Sequence, residues 1–121
     1  MYEIMVEDTF ASAHQLIGYE GPCENLHGHT WKAQIFLLGD QLNKLGMLFD
    51  FKEAKSILRE IINKFDHTNI NTMVFFKEIN PTAENISRVF YEEFAKRIPS
   101  EIKVSKVIIW ESEKTCAQYS L

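Results

Sequence analysis

The stretch HGHTWKAQIFL, residues 27–37, decides the fold. Its odd positions read His27, His29, Trp31, Ala33, Ile35 and Leu37, while its even positions include Thr30, Lys32 and Gln34. A period of two belongs to a β-strand, whose successive side chains leave on opposite faces. Both histidines therefore share the apolar face, and their imidazoles extend a buried surface. Upstream, Tyr2, Ile4, Val6, Asp8, Phe10, Ser12 and His14 alternate in the same way, beginning apolar and ending polar. A strand leaving a core for a site carries that signature. Between the two strands, Gly18, Gly21 and Pro22 are turn residues that deliver the chain to Cys23.

Downstream the period changes. From Asp50 to Phe65, Phe51, Ala54, Ile57, Leu58, Ile61, Ile62 and Phe65 fall at helical spacing, with Asp50 and Glu53 as an N-terminal capping pair. The polar run DHTNIN that follows reads as loop. A second helix starts at Pro81 or Thr82, carries Ile86, Val89, Phe90, Phe94 and Ile98 as its stripe, and is halted by Pro99. Two strands close the chain. One runs from about Lys103 to Glu111 with Lys103, Ser105, Val107, Ile109 and Glu111 on one parity; the other holds Ala117, Tyr119 and Leu121. The order is ββααββ, an α+β pattern without repeat or linker, and 121 residues suit a single domain over 1–121.

Composition narrows the partners. Thirteen basic residues against 17 acidic give a net charge of -4, and no run of five like charges occurs, so there is no electrostatic footprint for nucleic acid. No apolar stretch approaches a membrane span, and the opening MYEIMVEDTF lacks the basic and apolar regions of an export signal. A cytoplasmic protein with reduced thiols is expected, and Cys116 reads as a small buried hydrophobe. A chain this short exposes much of any pocket it builds, which favours a site shared between copies.

Only four histidines occur, and three share a pattern: His14 at a strand end, then His27 and His29 two residues apart on one face. Catalytic zinc sites take three protein ligands and leave a fourth position open, whereas structural sites are closed by four, usually with thiolates. Three neutral imidazoles leave the ion's charge unreduced, so it acts as a Lewis acid. Gly28, between two of the ligands, removes a side chain from the opposite face and permits close approach. The alternative is an accidental pair of histidines satisfied by backbone partners. Cys23 stands four residues before His27, where nearby positive charge favours the thiolate; the alternative is a small buried hydrophobe. Asp66 and His67 form an adjacent carboxylate and imidazole suited to proton transfer, or a histidine interacting with a helix C-terminus. Glu111 shares the parity of Val107 and Ile109, so its carboxylate faces inward or lies exposed at a sheet edge.

Taken together, FASAH (10–14), CENLHGH (23–29), GMLFDF (46–51), FDHTNIN (65–71), PTAEN (81–85) and WES (110–112) resemble the 6-pyruvoyltetrahydropterin synthase family. Within it the chain is most similar to the bacterial and archaeal 6-carboxytetrahydropterin synthases of queuosine biosynthesis. The resemblance implies the tunnelling fold (T-fold), a four-stranded antiparallel sheet with two helices on one face that oligomerises into a barrel, as a trimer or a hexamer with sites between subunits. It implies zinc on His14, His27 and His29, Cys23 as proton acceptor, Asp66 and His67 as its relay, reaching it from a neighbouring chain, and Glu111 with Thr82 as pterin contacts. A carboxylate suits the guanidine-like edge of a pterin, which offers two parallel N–H donors.

The implied reaction is a zinc-dependent lyase step. It turns 7,8-dihydroneopterin triphosphate into 6-carboxy-5,6,7,8-tetrahydropterin with release of triphosphate and acetaldehyde. Three residues between Cys23 and His27 resemble the microbial spacing rather than the longer animal one. Glu24 keeps side-chain cleavage for the folate pathway open, because some relatives carry a glutamate in place of or near the cysteine, and the 6-pyruvoyltetrahydropterin product of the animal enzyme is the other alternative. The non-enzymatic alternative is a zinc- or pterin-binding barrel scaffold. Lys32 is a candidate phosphate contact or a solvated surface lysine.

Overall fold

A computed structural model describes residues 1–21 and 25–121. Strand β1 (Tyr2–His14) and strand β2 (His27–Gly39) run antiparallel over their whole length. They are followed by helix α1 (Phe51–Phe65), a two-residue strand β3 (Thr68–Asn69), helix α2 (Ala83–Ala95), strand β4 (Lys103–Trp110) and strand β5 (Cys116–Tyr119). The sheet order is β3-β1-β2-β4-β5. In register Phe10 faces Trp31, while Ala33 faces Ile109 and Ile35 faces Val107, so one face of the sheet is apolar from strand to strand. Helix α1 lies against β1, and α2 against β4 and β5, covering that face. Trp31, Ala33, Ile35, Leu37, Val107 and Ile109 are fully buried beneath them. Phe10 stacks between Trp31 and Phe90, with ring centroids 6.0 and 5.6 Å away.

Both helices begin on capping residues. The Asp50 carboxylate accepts the Lys52 N–H at 2.8 Å, and the Thr82 hydroxyl accepts the Asn85 N–H at 3.1 Å, each satisfying one of the donors a helix start leaves free. Glu53 lies in the first turn of α1. The far end of α2 is tied down by Glu93, which accepts from Lys96 at 2.8 Å and from Arg97 at 3.3 Å; these contacts hold its carboxyl below the usual range despite burial.

The sheet departs from the expected four antiparallel strands. Asp66 accepts the Ala11 N–H through Oδ1 at 2.8 Å, and the His67 N–H donates to the Ala11 carbonyl at 2.6 Å. These bonds draw the DHTNIN run alongside β1, where Ser12 and Ala13 pair in parallel with Thr68 and Asn69. A mixed five-stranded sheet results, and Ile70, in the short 3-10 turn that follows, is fully buried. In β4 the strict alternation also fails. The register with β2 slips between Phe36, opposite Lys106, and Leu37, opposite Val104, leaving Ser105 as a bulge. Val104 therefore points into the core in place of Lys103, while Val107 and Ile109 keep the expected parity.

Three smaller differences lie at the ends of elements. Phe51, expected on the α1 stripe, is 55% exposed at the helix start, beside a cleft of about 250 Å³ that Tyr2 and Leu48 also line. Helix α2 ends at Ala95, so Ile98 packs on the core from the connection before Pro99. The last strand begins at Cys116, which is exposed rather than buried because it sits at the sheet edge. None of the described helices is long and apolar enough to cross a membrane.

Candidate metal centre

The ladder between β1 and β2 brings the three histidines together. His14 lies directly opposite His27, and Ser12 opposite His29, so three rings from two strands emerge on one face at one end of the sheet. Their centroids are 4.6 Å (His14 to His27), 5.3 Å (His14 to His29) and 4.7 Å (His27 to His29) apart. One ring nitrogen from each falls within 4.8 Å of the others. Trp31 packs edge-on against His14 and His29 at 4.9 and 5.3 Å, closing the floor between the histidines and the core.

Hydrogen bonds select which nitrogens are left over. His14 Nδ1 donates to the Pro81 carbonyl at 2.7 Å, and His27 Nδ1 donates to the Asn25 carbonyl at 2.7 Å. A carbonyl only accepts, so the Nδ1 atoms carry hydrogen and a neutral ring presents a lone pair at Nε2. Burial is the main influence on both His14 and His29, and it pushes their pKa values below the usual histidine range. The Nε2 atoms of His14 and His29 are buried without any hydrogen-bond partner. Buried polar atoms rarely remain unpaired, and a lone pair left in this way suits a cation. The donor set therefore fits a divalent metal such as zinc: imidazole nitrogens, converging, with backbone acceptors orienting the rings.

The remaining candidates divide into those the chain gathers at this centre and those it does not. Glu111 joins it. One residue beyond β4, it holds Oε1 3.5 Å from His29 Nε2 and Oε2 3.9 Å from His14 Nε2, and its side chain is 31% exposed. Thr82 follows Pro81, whose carbonyl grips His14, but its hydroxyl is occupied in capping α2. Asp66 and His67 lie elsewhere, on the β3 side of the sheet, with Oδ1 and Nε2 3.9 Å apart. Among the described residues no hydrogen bond or ring contact joins them to the three histidines. His67 adopts the left-handed conformation (φ 55°) with its side chain 83% exposed, and it lines a cleft of about 570 Å³ together with His29, Ala13, Gly28 and Thr30. The site of a Gly28 side chain would meet only the Ser12 carbonyl, at 3.9 Å, so the approach that glycine permits is open rather than filled by this chain. Cys23 and Glu24 lie outside the described residues. Lys32 is on the helix-free face, its ammonium 5.2 Å from the Trp110 ring centroid.

Two contacts were not legible in the sequence. The Pro81 and Asn25 carbonyls that orient His14 and His27 are backbone atoms and leave no residue signature. Ser12 had a signal: it shares the parity of His14, and its hydroxyl donates to the Phe65 carbonyl, fixing the β1 end to the end of α1.

The model of the 6-pyruvoyl tetrahydropterin synthase family matches residues 3–121. A 6-carboxy-5,6,7,8-tetrahydropterin synthase of Haemophilus influenzae is 30% identical, the alignment covering 98% of this chain and 99% of that protein. A dihydroneopterin monophosphate aldolase of Pyrococcus furiosus is also 30% identical, over 92% of this chain and 90% of its own. Among solved structures, the Caenorhabditis elegans 6-pyruvoyl tetrahydropterin synthase superposes with a TM-score of 0.89 at 26% identity, covering 99% of this chain and 95% of that one. From the histidine ladder to the final strand, this chain belongs to the 6-pyruvoyl tetrahydropterin synthase family.

Proposed function

We propose that this chain is a zinc-dependent carbon-carbon lyase, converting 7,8-dihydroneopterin triphosphate into 6-carboxy-5,6,7,8-tetrahydropterin with release of acetaldehyde and triphosphate. Its place is queuosine and 7-deazaguanine biosynthesis in the cytoplasm. The observation that carries the reading is the pair of buried, unpartnered Nε2 atoms on His14 and His29 within ligand distance of His27. Zinc bound there supplies Lewis acidity, lowering the pKa of a side-chain hydroxyl and polarising a carbonyl. Cys23 accepts the proton that leaves the substrate side chain. Asp66, its carboxylate fixed by the Ala11 N–H, orients His67, whose outward ring serves the thiol of a neighbouring copy. Glu111 anchors the pterin by accepting the pterin's paired N–H donors, and Thr82 is a second pterin contact. The sheet ends in β3 on one side and β5 on the other, and pairing such edges between copies would close the barrel of a homotrimer or hexamer.

A second reading has its own support. The relative named dihydroneopterin monophosphate aldolase is 30% identical, the same figure as the Haemophilus influenzae 6-carboxy-5,6,7,8-tetrahydropterin synthase, and Glu24 directly follows Cys23. On that reading the side chain is cleaved without formation of a carboxypterin; a 6-pyruvoyltetrahydropterin product is the third outcome. Zinc-loaded protein incubated with dihydroneopterin triphosphate, its products identified by mass spectrometry, separates the three. The first requires a carboxypterin and acetaldehyde together, and the absence of both overturns it. Cys23→Ala should retain zinc and lose turnover; a fully active variant would remove the thiol from the mechanism.

A further inference from the structure

We infer that Glu111 is the fourth ligand of the substrate-free metal centre, closing with its own carboxylate the coordination position that the three imidazoles leave vacant. The inference rests on the reading of His14, His27 and His29 as metal ligands and adds to it a residue otherwise assigned to the pterin.

The geometry is that of a carboxylate with one oxygen turned toward each imidazole, Oε1 at 3.5 Å from His29 Nε2 and Oε2 at 3.9 Å from His14 Nε2. These are not hydrogen bonds: both nitrogens are buried and have no hydrogen-bond partner. A charge-assisted contact would bring N and O to about 2.7–2.9 Å. His14 Nδ1 already spends the ring's proton on the Pro81 carbonyl, so Nε2 of the neutral ring offers a lone pair, and a carboxylate offers only lone pairs. At His14 two acceptors therefore face each other, and they repel unless something positive lies between them. In a tetrahedral site with bonds of about 2.0–2.2 Å, neighbouring ligand atoms stand roughly 3.3–3.6 Å apart. The separation to His29 falls in that range and the one to His14 slightly exceeds it.

Glu111 also hangs from a fixed main chain. Its backbone N–H donates to the Thr115 carbonyl at 3.1 Å, fixing the main chain in the β4–β5 turn. Among the described residues no hydrogen bond holds the carboxylate itself, which leaves its lone pairs for a cation or a ligand. With one oxygen turned toward each imidazole, the carboxylate does not at the same time present both oxygens side by side to the paired N–H donors of a pterin edge. Arrival of the pterin would then draw the carboxylate away from the cation position that His14, His27 and His29 would hold, coupling recognition to the vacancy.

The test uses cobalt(II) in place of zinc, without substrate, in the full-length protein and in Glu111→Gln and Glu111→Ala. Ligation by Glu111 predicts that both variants bind cobalt at least about ten-fold more weakly in chelator competition, and that their visible d–d bands differ in position and intensity from the wild type. Bands identical to the wild type would overturn the inference, even with weaker binding, since loss of a nearby negative charge alone lowers affinity without changing the ligand set. A wild-type protein that takes up no cobalt would overturn the histidine site itself, a distinguishable failure.

Discussion

The two ends of the β1–β2 ladder are built on one register and diverge in what their side chains leave over. At the inner end Val6, Phe10, Trp31 and Ile35 fill the space under the helices and saturate one another through packing. At the outer end the same parity continues through Ser12, His14, His27 and His29, still largely buried, but with two ring nitrogens that nothing in the described chain satisfies. A core resolves its contacts internally, whereas a site reserves a few for something else. Trp31 is the boundary, stacked on Phe10 on one side and edge-on to two imidazoles on the other.

The sharpest way to break that contrast is to remove a reserved contact. His29→Ala should lower metal affinity more than about a hundred-fold, because even residues that only orient ligands are worth ten- to a hundred-fold, while far-UV circular dichroism stays unchanged. Metal retained at wild-type affinity would refute the ligand set. At the boundary, Trp31→Ala should cost about 3–5 kcal/mol in urea unfolding, the usual loss for a buried aromatic. It should also loosen the metal; a cost below about 1 kcal/mol would mean that the floor is not packed as described. Thr82→Ala should cost about 1 kcal/mol through the lost cap, and Thr82→Asn should restore it. If Thr82 also touches the pterin, KM rises in both variants, whereas a purely capping residue leaves KM unmoved in the second.

The smallest effect is one of pH. Burial holds His14 and His29 below the ordinary histidine value of 6.5, so the metal-free fold binds fewer protons than the unfolded chain once pH drops under that value. Stability is then present in full above about 6.5 and declines as pH falls toward the lowered folded values. Urea midpoints of the metal-free protein at pH 7.5, 6.5 and 5.5 measure it. A flat profile would mean that these imidazoles are not buried neutral.

The strands could be read along the chain because each is buried on one face, which imposes a period of two that both β1 and β2 display from end to end. For the same reason the parity of His27 and His29, and the strand-end position of His14, could be read from spacing alone. The failures share a different origin. Ser105 bulges where the register between β2 and β4 slips, a feature of the pairing with a neighbour that the local pattern does not carry. Thr68 and Asn69 pair with β1 through backbone groups and one aspartate, and two residues are too few to show any period. Phe51 and Cys116 have apolar chemistry but stand at element ends, one at an open helix start and the other at the start of an edge strand.

The order of residues by itself determined which faces are apolar, which three imidazoles share a side, and where the helices begin, because periodicity and capping act over a few neighbouring positions. Only the tertiary structure decided that His14 meets His27 across a ladder, that Pro81 and Asn25 orient the rings, and that Glu111 arrives from the far strand to face them. Those contacts join residues up to 97 positions apart, and proximity across such distances depends on register and packing, which no local spacing encodes.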